Sequence, residues 1–288
     1  MIDVDFADGT SNDIYDDEGA VWLTGETFTD SGAGVQVSVG TATPTGYNVT
    51  ITRGNVAPPP QPGDYALDFN GSNYARAADS SSLSAVTGTL TVEAWIRPRV
   101  LGIKQVVVSK RGVTPTRSGG YELSIESNGS VKFVTYDDAG SPLASLTSDD
   151  STNPSPVFVD RWSHISGSYN ASTKTVRVSV NGRVRSQTYA TNKKPVDGVA
   201  SLNIGRSALM NKEFTGRIDN VRISNSALYT ETFVPLITPV VTPGTTQALW
   251  LMNENGGTMT FDVVSGNTAT LTPESSPPTW TLGASMLP

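Results

Sequence analysis

Cysteine is absent from all 288 residues, which excludes disulfides, thiol nucleophiles, iron–sulfur clusters and cysteine-ligated zinc, so the fold must hold by packing. Histidine occurs once, at His164, too few for the paired histidines of an H-E-x-x-H zinc site. No apolar run approaches the roughly 18 residues that cross a bilayer as a helix, and no membrane insertion is expected. Charged residues make up only 16% of the chain, against a usual quarter or so. Bases are missing altogether before Arg53: residues 1–52 carry nine acids and neither Lys nor Arg, while the rest carries all 20 bases. With no basic stripe in either part, nucleic acid and anionic membrane surfaces are poor partners.

The opening Met1-Ile2-Asp3-Val4-Asp5 has neither the basic nor the apolar region of a secretory signal. The chain is therefore expected to avoid that route or to be part of a longer precursor. Asp3, Asp5 and Asp8 have the look of a calcium loop, yet the fifth and twelfth positions counted from Asp3 hold Ala7 and Ile14, where oxygen ligands are needed. A solvated acidic lead-in is the first reading and a calcium site the second.

What is present is turn chemistry. Asn70-Gly71, Asn128-Gly129, Asn181-Gly182 and Asn255-Gly256 punctuate a chain without helical periodicity. Val35, Val37 and Val39, then Pro44-Thr45-Gly46, then Tyr47, Val49 and Ile51 spell a hairpin with one apolar face, which must dock on something because a lone ribbon is marginal. The run Ala57-Pro58-Pro59-Pro60-Gln61-Pro62-Gly63 cannot join a sheet interior. It divides the chain into a small acidic β segment (1–57), a proline-rich linker (58–63) and a large domain (64–288). In that domain Val92, Ala94 and Ile96 alternate with Glu93, Trp95 and Arg97; Tyr121, Leu123 and Ile125 with Glu122, Ser124 and Glu126; and Val176, Val178 and Val180 continue the pattern. Many half-buried antiparallel strands make an all-β, two-sheet sandwich or jelly roll.

Several stretches then carry a resemblance. Ala66-Leu67-Asp68-Phe69-Asn70-Gly71-Ser72-Asn73-Tyr74, Leu90-Thr91-Val92-Glu93-Ala94-Trp95-Ile96-Arg97-Pro98, Trp162-Ser163-His164-Ile165, Val180-Asn181-Gly182, Leu202-Asn203-Ile204-Gly205 and Gly216-Arg217-Ile218-Asp219-Asn220-Val221-Arg222-Ile223 follow in order. Together they resemble the laminin-G-like, concanavalin A-like jelly roll over residues 64 to about 236. The resemblance implies a sandwich used for carbohydrate or protein binding, with one calcium at a sheet edge. The tail Ala248 to Gly257, within 245–288, resembles the strand that opens such a domain: it is either a permuted edge strand of the same sheet or the start of a second copy. Thr24 to Asp30, Gly34 to Val37 and Val49 to Ile51 resemble, more faintly, the β end-piece that follows the catalytic domain in some secreted bacterial metallopeptidases.

Glu122 and Glu126 share a strand face but lie roughly 13 Å apart by strand rise, too far for a glycosidase pair. No Ser and Asp partners surround His164, so catalysis is not expected. For sugar binding, parity sets Glu93, Trp95, Arg97, Glu122, His164 and Arg177 on outer faces, one aromatic among charged groups; the competing reading tucks Trp95 under a crossing loop or under the N-terminal hairpin. For calcium, Asp68 and Asn70 offer oxygens beside a turn, and Asp219 is an acid inside an apolar strand; the competing reading pairs Asp219 with Arg217 or Arg222. The expected protein is a non-catalytic module for a glycan or a protein surface, calcium-assisted, outside a bacterial cell or on a phage virion. The alternatives are the accessory region of a longer secreted hydrolase and a structural virion or adhesin spacer.

Overall fold

The computed structural model describes residues 24–25, 27–30, 35–44, 46–53, 64–86, 88–112, 119–149, 154–190, 195–197, 199–207, 212–237 and 239–284. The acidic lead-in and the proline run lie outside these residues. The chain divides into two compact units, the second beginning at Ala57.

In the first unit, β1 (Thr27–Asp30), β2 (Val35–Thr43) and β3 (Gly46–Arg53) form one antiparallel sheet in that order. Val37 lies opposite Ile51 and Val39 opposite Val49, which places these side chains on one face of the expected hairpin. An edge strand, β1, joins it.

The second unit contains β4 (Tyr65–Asn70), β5 (Tyr74–Ala77), the short helix α1 (Ser81–Ser84), β6 (Leu90–Pro98), β7 (Gln105–Arg111), β8 (Gly120–Ile125), β9 (Val131–Tyr136) and β10 (Pro142–Thr147). It continues with β11 (Ser163–Asn170), β12 (Thr175–Val180), β13 (Arg183–Thr188), β14 (Leu202–Ile204), β15 (Thr215–Ser224), β16 (Thr246–Trp250), β17 (Met259–Phe261), β18 (Thr268–Thr272) and β19 (Thr279–Leu282). One eight-stranded sheet runs β13-β12-β11-β6-β15-β4-β19, with β16 also on β15. The second runs β10-β9-β8-β7-β14-β5-β18-β17. The result is the two-sheet antiparallel sandwich that the alternation demanded.

The core lies between the sheets. Val92, Ala94, Ile96, Ile165, Tyr169, Val176, Val178 and Val180 enter it from the first sheet, and Leu123, Ile125, Val131, Phe133, Leu202 and Ile204 from the second. Each such aliphatic side chain contributes roughly 1.5–3 kcal/mol of burial. Gly167 sits where β11 crosses Phe133: a Cβ there would lie 2.3 Å from the ring, so a hydrogen is all the space allows. On β15 the register against β6 shifts between Asp219 and Arg222, with Asn220 at φ 51°. This bulge brings Ile218, Val221 and Ile223 all into the core. The tail feeds both sheets, since β16 pairs with β15, β18 with β5 and β19 with β4, and Trp250 and Met252 are fully buried.

Candidate functional site

Parity places Glu93, Trp95 and Arg97 of β6, His164 of β11 and Arg177 of β12 on the outer face of the first sheet, where His164 lies directly across from Trp95. That face is covered. After β15 the chain returns over it, with Trp95 Nε1 donating to the carbonyl of Leu236 at 3.0 Å and Asn220 Nδ2 to that of Ile237 at 3.0 Å. Below this segment Glu93 accepts from Arg222 Nη2 and from the Tyr229 hydroxyl, both at 3.1 Å, and lies 3.7 Å from His164 Nε2. Burial pushes the Glu93 carboxyl up, but the His164 hydrogen bond and the charges of His164 and Arg222 outweigh it and hold it below the usual range. Glu93 is 1% exposed and His164 2%.

Of the first-sheet residues expected to meet a sugar, Glu93 and His164 are therefore buried under this segment, while Trp95, Arg97 and Arg177 stay half-buried. Arg97 Nε is committed to the carbonyl of Asp160 at 2.9 Å, and Arg177 Nε and Nη1 are buried without a hydrogen-bond partner among the described residues. Alternation tells which face a side chain takes, not what lies over that face. Glu122 is not with this group at all, because β8 belongs to the other sheet.

The expected calcium donors also part company. Asp68 accepts from Arg99 Nη2 at 2.6 Å and faces Arg217 Nε at 3.6 Å, while Asn70 Oδ1 accepts from the amide of Ser72 at 2.8 Å. Asp219 accepts the Ala284 amide at 3.0 Å through Oδ2, and its Oδ1 is buried without a partner. Burial and the nearby Asp64 charge push the Asp219 carboxyl well up, only partly opposed by the Ala284 and Asn220 amides. A carboxylate already held by two guanidiniums and a buried acid on another strand that accepts a backbone amide do not come together as the ligands of a hard dication. Among the described residues no three His, Asp or Glu gather as a metal site.

The outer face of the second sheet is buried at Val134, Glu122, Ser109 and Asn203 and opens at Arg76. One straight row crosses the sheet on this side, Val134, Glu122, Ser109, Asn203, Arg76 and Thr270, each opposite the next. The neighbours along these strands, Ala75, Ala77, Leu202, Ile204, Val108 and Leu123, point into the core, so the row must face away from it. Above its middle lies a groove of about 360 Å³ lined by Tyr74, Arg76, Arg111, Val199, Ala200, Ser201, Asn203 and Arg206. Arg111 stacks on Tyr136, with 3.9 Å from guanidinium carbon to ring centroid, and donates to the carbonyl of Gly140 at 3.1 Å. Burial and the Glu122 charge push the Tyr136 hydroxyl up to about 12 despite Arg111. Arg206 lies 4.6 Å over the Tyr74 ring and 3.8 Å from Glu213. Ser109 Oγ and Glu122 Oε2 are buried without partners in the floor beside it.

Glu122 is thus the one expected sugar-face residue on the sheet that bears the groove. It does not form a glycosidase pair with open access, since its side chain is fully buried and Lys104 Nζ lies 2.8 Å away. Glu126 follows the end of β8 and shares that ammonium at 3.8 Å, so the two carboxylates stand closer than an extended strand would set them. The lining residues themselves carry no local signal: positions 76, 111, 203 and 206 meet only because β14 lies between β7 and β5.

The Laminin_G_3 family model, described as the concanavalin A-like lectin/glucanases superfamily, matches residues 69–232. No curated protein matches the sequence significantly. A candidate carbohydrate-binding protein of Bacteroides ovatus superposes with a TM-score of 0.51 at 15% identity, covering 91% of this chain and 71% of that one. A Ruminococcus gnavus sialidase carbohydrate-binding module, CBM40, bound to α2,3-sialyllactose gives 0.45 at 13% identity, over 57% of this chain and 91% of the other. Domains LG4-5 of the mouse laminin α1 chain give 0.43 at 16%, over 68% and 50%. By its sandwich and by the model that spans more than half of its length, the chain belongs to the concanavalin A-like lectin/glucanase superfamily, in its laminin G branch.

Proposed function

We propose that the second unit is a non-catalytic carbohydrate-binding module that takes its ligand in the groove on the second sheet and works outside the cell. The observation that carries this reading is the make-up of the groove. Fixed guanidiniums, the Asn203 amide, the Ser201 hydroxyl and the Tyr74 ring line it together with the small apolar Val199 and Ala200. A pyranose presents equatorial hydroxyls to such donors and acceptors and its C–H face to an aromatic or aliphatic surface. Stacking on tyrosine rings holds Arg111 and Arg206 in place before any ligand arrives, which lowers the ordering cost of binding. The B. ovatus fold relative, described in the same terms, supports the same class.

The test is a glycan array on the full chain, with Asn203→Ala and Tyr74→Ala beside it. Binding by the wild type that both groove variants weaken, with melting temperature kept, supports the reading. Binding that survives both variants moves the site elsewhere, and an array without a hit sinks the function.

A further inference from the structure

We infer that the saccharide bound in this groove is acidic, and that Arg76 grips its carboxylate or sulfate. The inference rests on the groove being the glycan site and adds the ligand's charge. Three of the eight lining residues are arginines and none is an acid. Among the described residues, the sole carboxylate in an ion pair with any of them is Glu213, 3.8 Å from Arg206 Nε. Two positive charges are left without an ion-pair partner among the described residues, on a chain whose formal net charge is −7.

Like charges drawn together on a sheet repel each other, and a neutral sugar would not relieve that repulsion. An oxyanion would, and a guanidinium fork matches a carboxylate or sulfate through two parallel N–H···O bonds. The three arginines are not equivalent. Arg111 is held by Tyr136 and Gly140, and Arg206 by Tyr74, Ser207 and Glu213. Arg76 is exposed, stands between Asn203 and Thr270 in the row, and has no hydrogen bond or ion pair with any described residue. A charged fork with no partner among the described residues, flanked by two fixed ones and next to an amide, is a place for the acidic group, with the sugar's hydroxyls falling to Asn203 and Ser201. The cations meet in one small pocket rather than along a track, which suits a single acidic residue better than a polyanion backbone.

Titration calorimetry on the full chain, with two matched pairs of probes, tests this: oligogalacturonates against their methyl esters, and carrageenan oligosaccharides against the same sugars after desulfation. The expected result is that the acidic member of one pair binds about tenfold or more tighter, roughly 1.4 kcal/mol. The pair that shows the preference tells carboxylate from sulfate. Raising salt from about 50 to 500 mM should erode the preference, and Arg76→Gln should abolish it. Arg76→Lys should keep part of it, and Arg161→Gln, remote in sequence and outside the groove lining, should keep all of it. Equal binding of neutral and acidic members, unmoved by Arg76→Gln but lost with Asn203→Ala, overturns the acidic ligand and leaves the glycan site standing. Inorganic sulfate binding as tightly as a sulfated oligosaccharide overturns the saccharide. If none of the four probes binds and the array is also blank, the underlying reading has failed.

Discussion

Tyr229 lies flat on Phe233, ring centroids 3.8 Å apart and planes 8° from parallel, and the imidazole of His164 meets both rings edge-on. This three-ring cluster fastens the segment after β15 to the first sheet. The Asn181-Gly182 turn seals its far side: both residues have positive φ, the Phe233 amide donates to Gly182 at 3.1 Å, and a Cβ on Gly182 would lie 1.8 Å from the Phe233 carbonyl. Phe233→Ala should then cost roughly 1–3 kcal/mol and open residues 226–241 to protease. Glycan binding in the groove, on the other sheet, should be untouched. Melting curves and mapped proteolytic cuts check this.

Glu93 links His164, Arg222 and Tyr229 beneath that segment. Its carboxyl is held below its unfolded value, so the stability it supplies is fully present above the unfolded value near 4.5 and fades as pH falls through the lower folded one. Glu93→Gln should cost about 3–5 kcal/mol at neutral pH, because Arg222 would keep a buried charge without its partner. In urea melts from pH 7 to pH 2, the variant should lose the acid-side slope shown by the wild type.

Asp219 carries the opposite sign. Its raised carboxyl supplies stability below its unfolded value near 3.8, and that stability is lost as pH rises through the folded value. Asp219→Asn, which keeps an acceptor for the Ala284 amide and removes the charge, should raise the melting temperature at pH 7 and have little effect at pH 3. Chelator should leave the wild-type melting curve where it is. A variant that melts lower at pH 7 and loses a calcium response present in the wild type would restore Asp219 as a metal ligand.

The tail is the next target. Deleting residues 244–288 removes β16, β17, β18 and β19, strips Trp250 and Met252 from the core and bares the edges of β4 and β5. Aggregation on expression is the expected outcome. A soluble truncated chain with unchanged melting temperature would mean that the tail is dispensable to the sandwich.

Much of the sandwich was legible because a strand has a period of two. Val92, Ala94 and Ile96 had to share a face, and Val176, Val178 and Val180 had to join them. Even the outward position of Glu122 followed from its neighbours Tyr121 and Leu123. What covers a face is not written in any local pattern. A segment crossing over Trp95 was one of the two readings, but residues 225–241 contain prolines and no alternation, so nothing marked them as the ones to supply it. The groove was invisible for another reason. Arg76, Asn203 and Arg206 meet through strand order, and a connection that sets β14 between β7 and β5 leaves no mark on the residues it brings together. The bulge at Asn220 explains why Asp219 misled: in a regular strand it is a costly buried charge that needs a metal or an arginine, whereas here burial favours its neutral form and a backbone amide meets it.

β4 and β19 lie side by side, with the Gly283 amide donating to the Asp64 carbonyl at 2.9 Å. The sandwich is entered and left at a single doorway. A polypeptide that passes through it emerges almost where it went in, so the whole unit can hang from a loop of a larger protein without prising its host apart. By the same token the order of its strands can be rotated: a short splice across the doorway and a new opening at the exposed Ser172-Thr173 turn would give a circular permutant with every pairing intact.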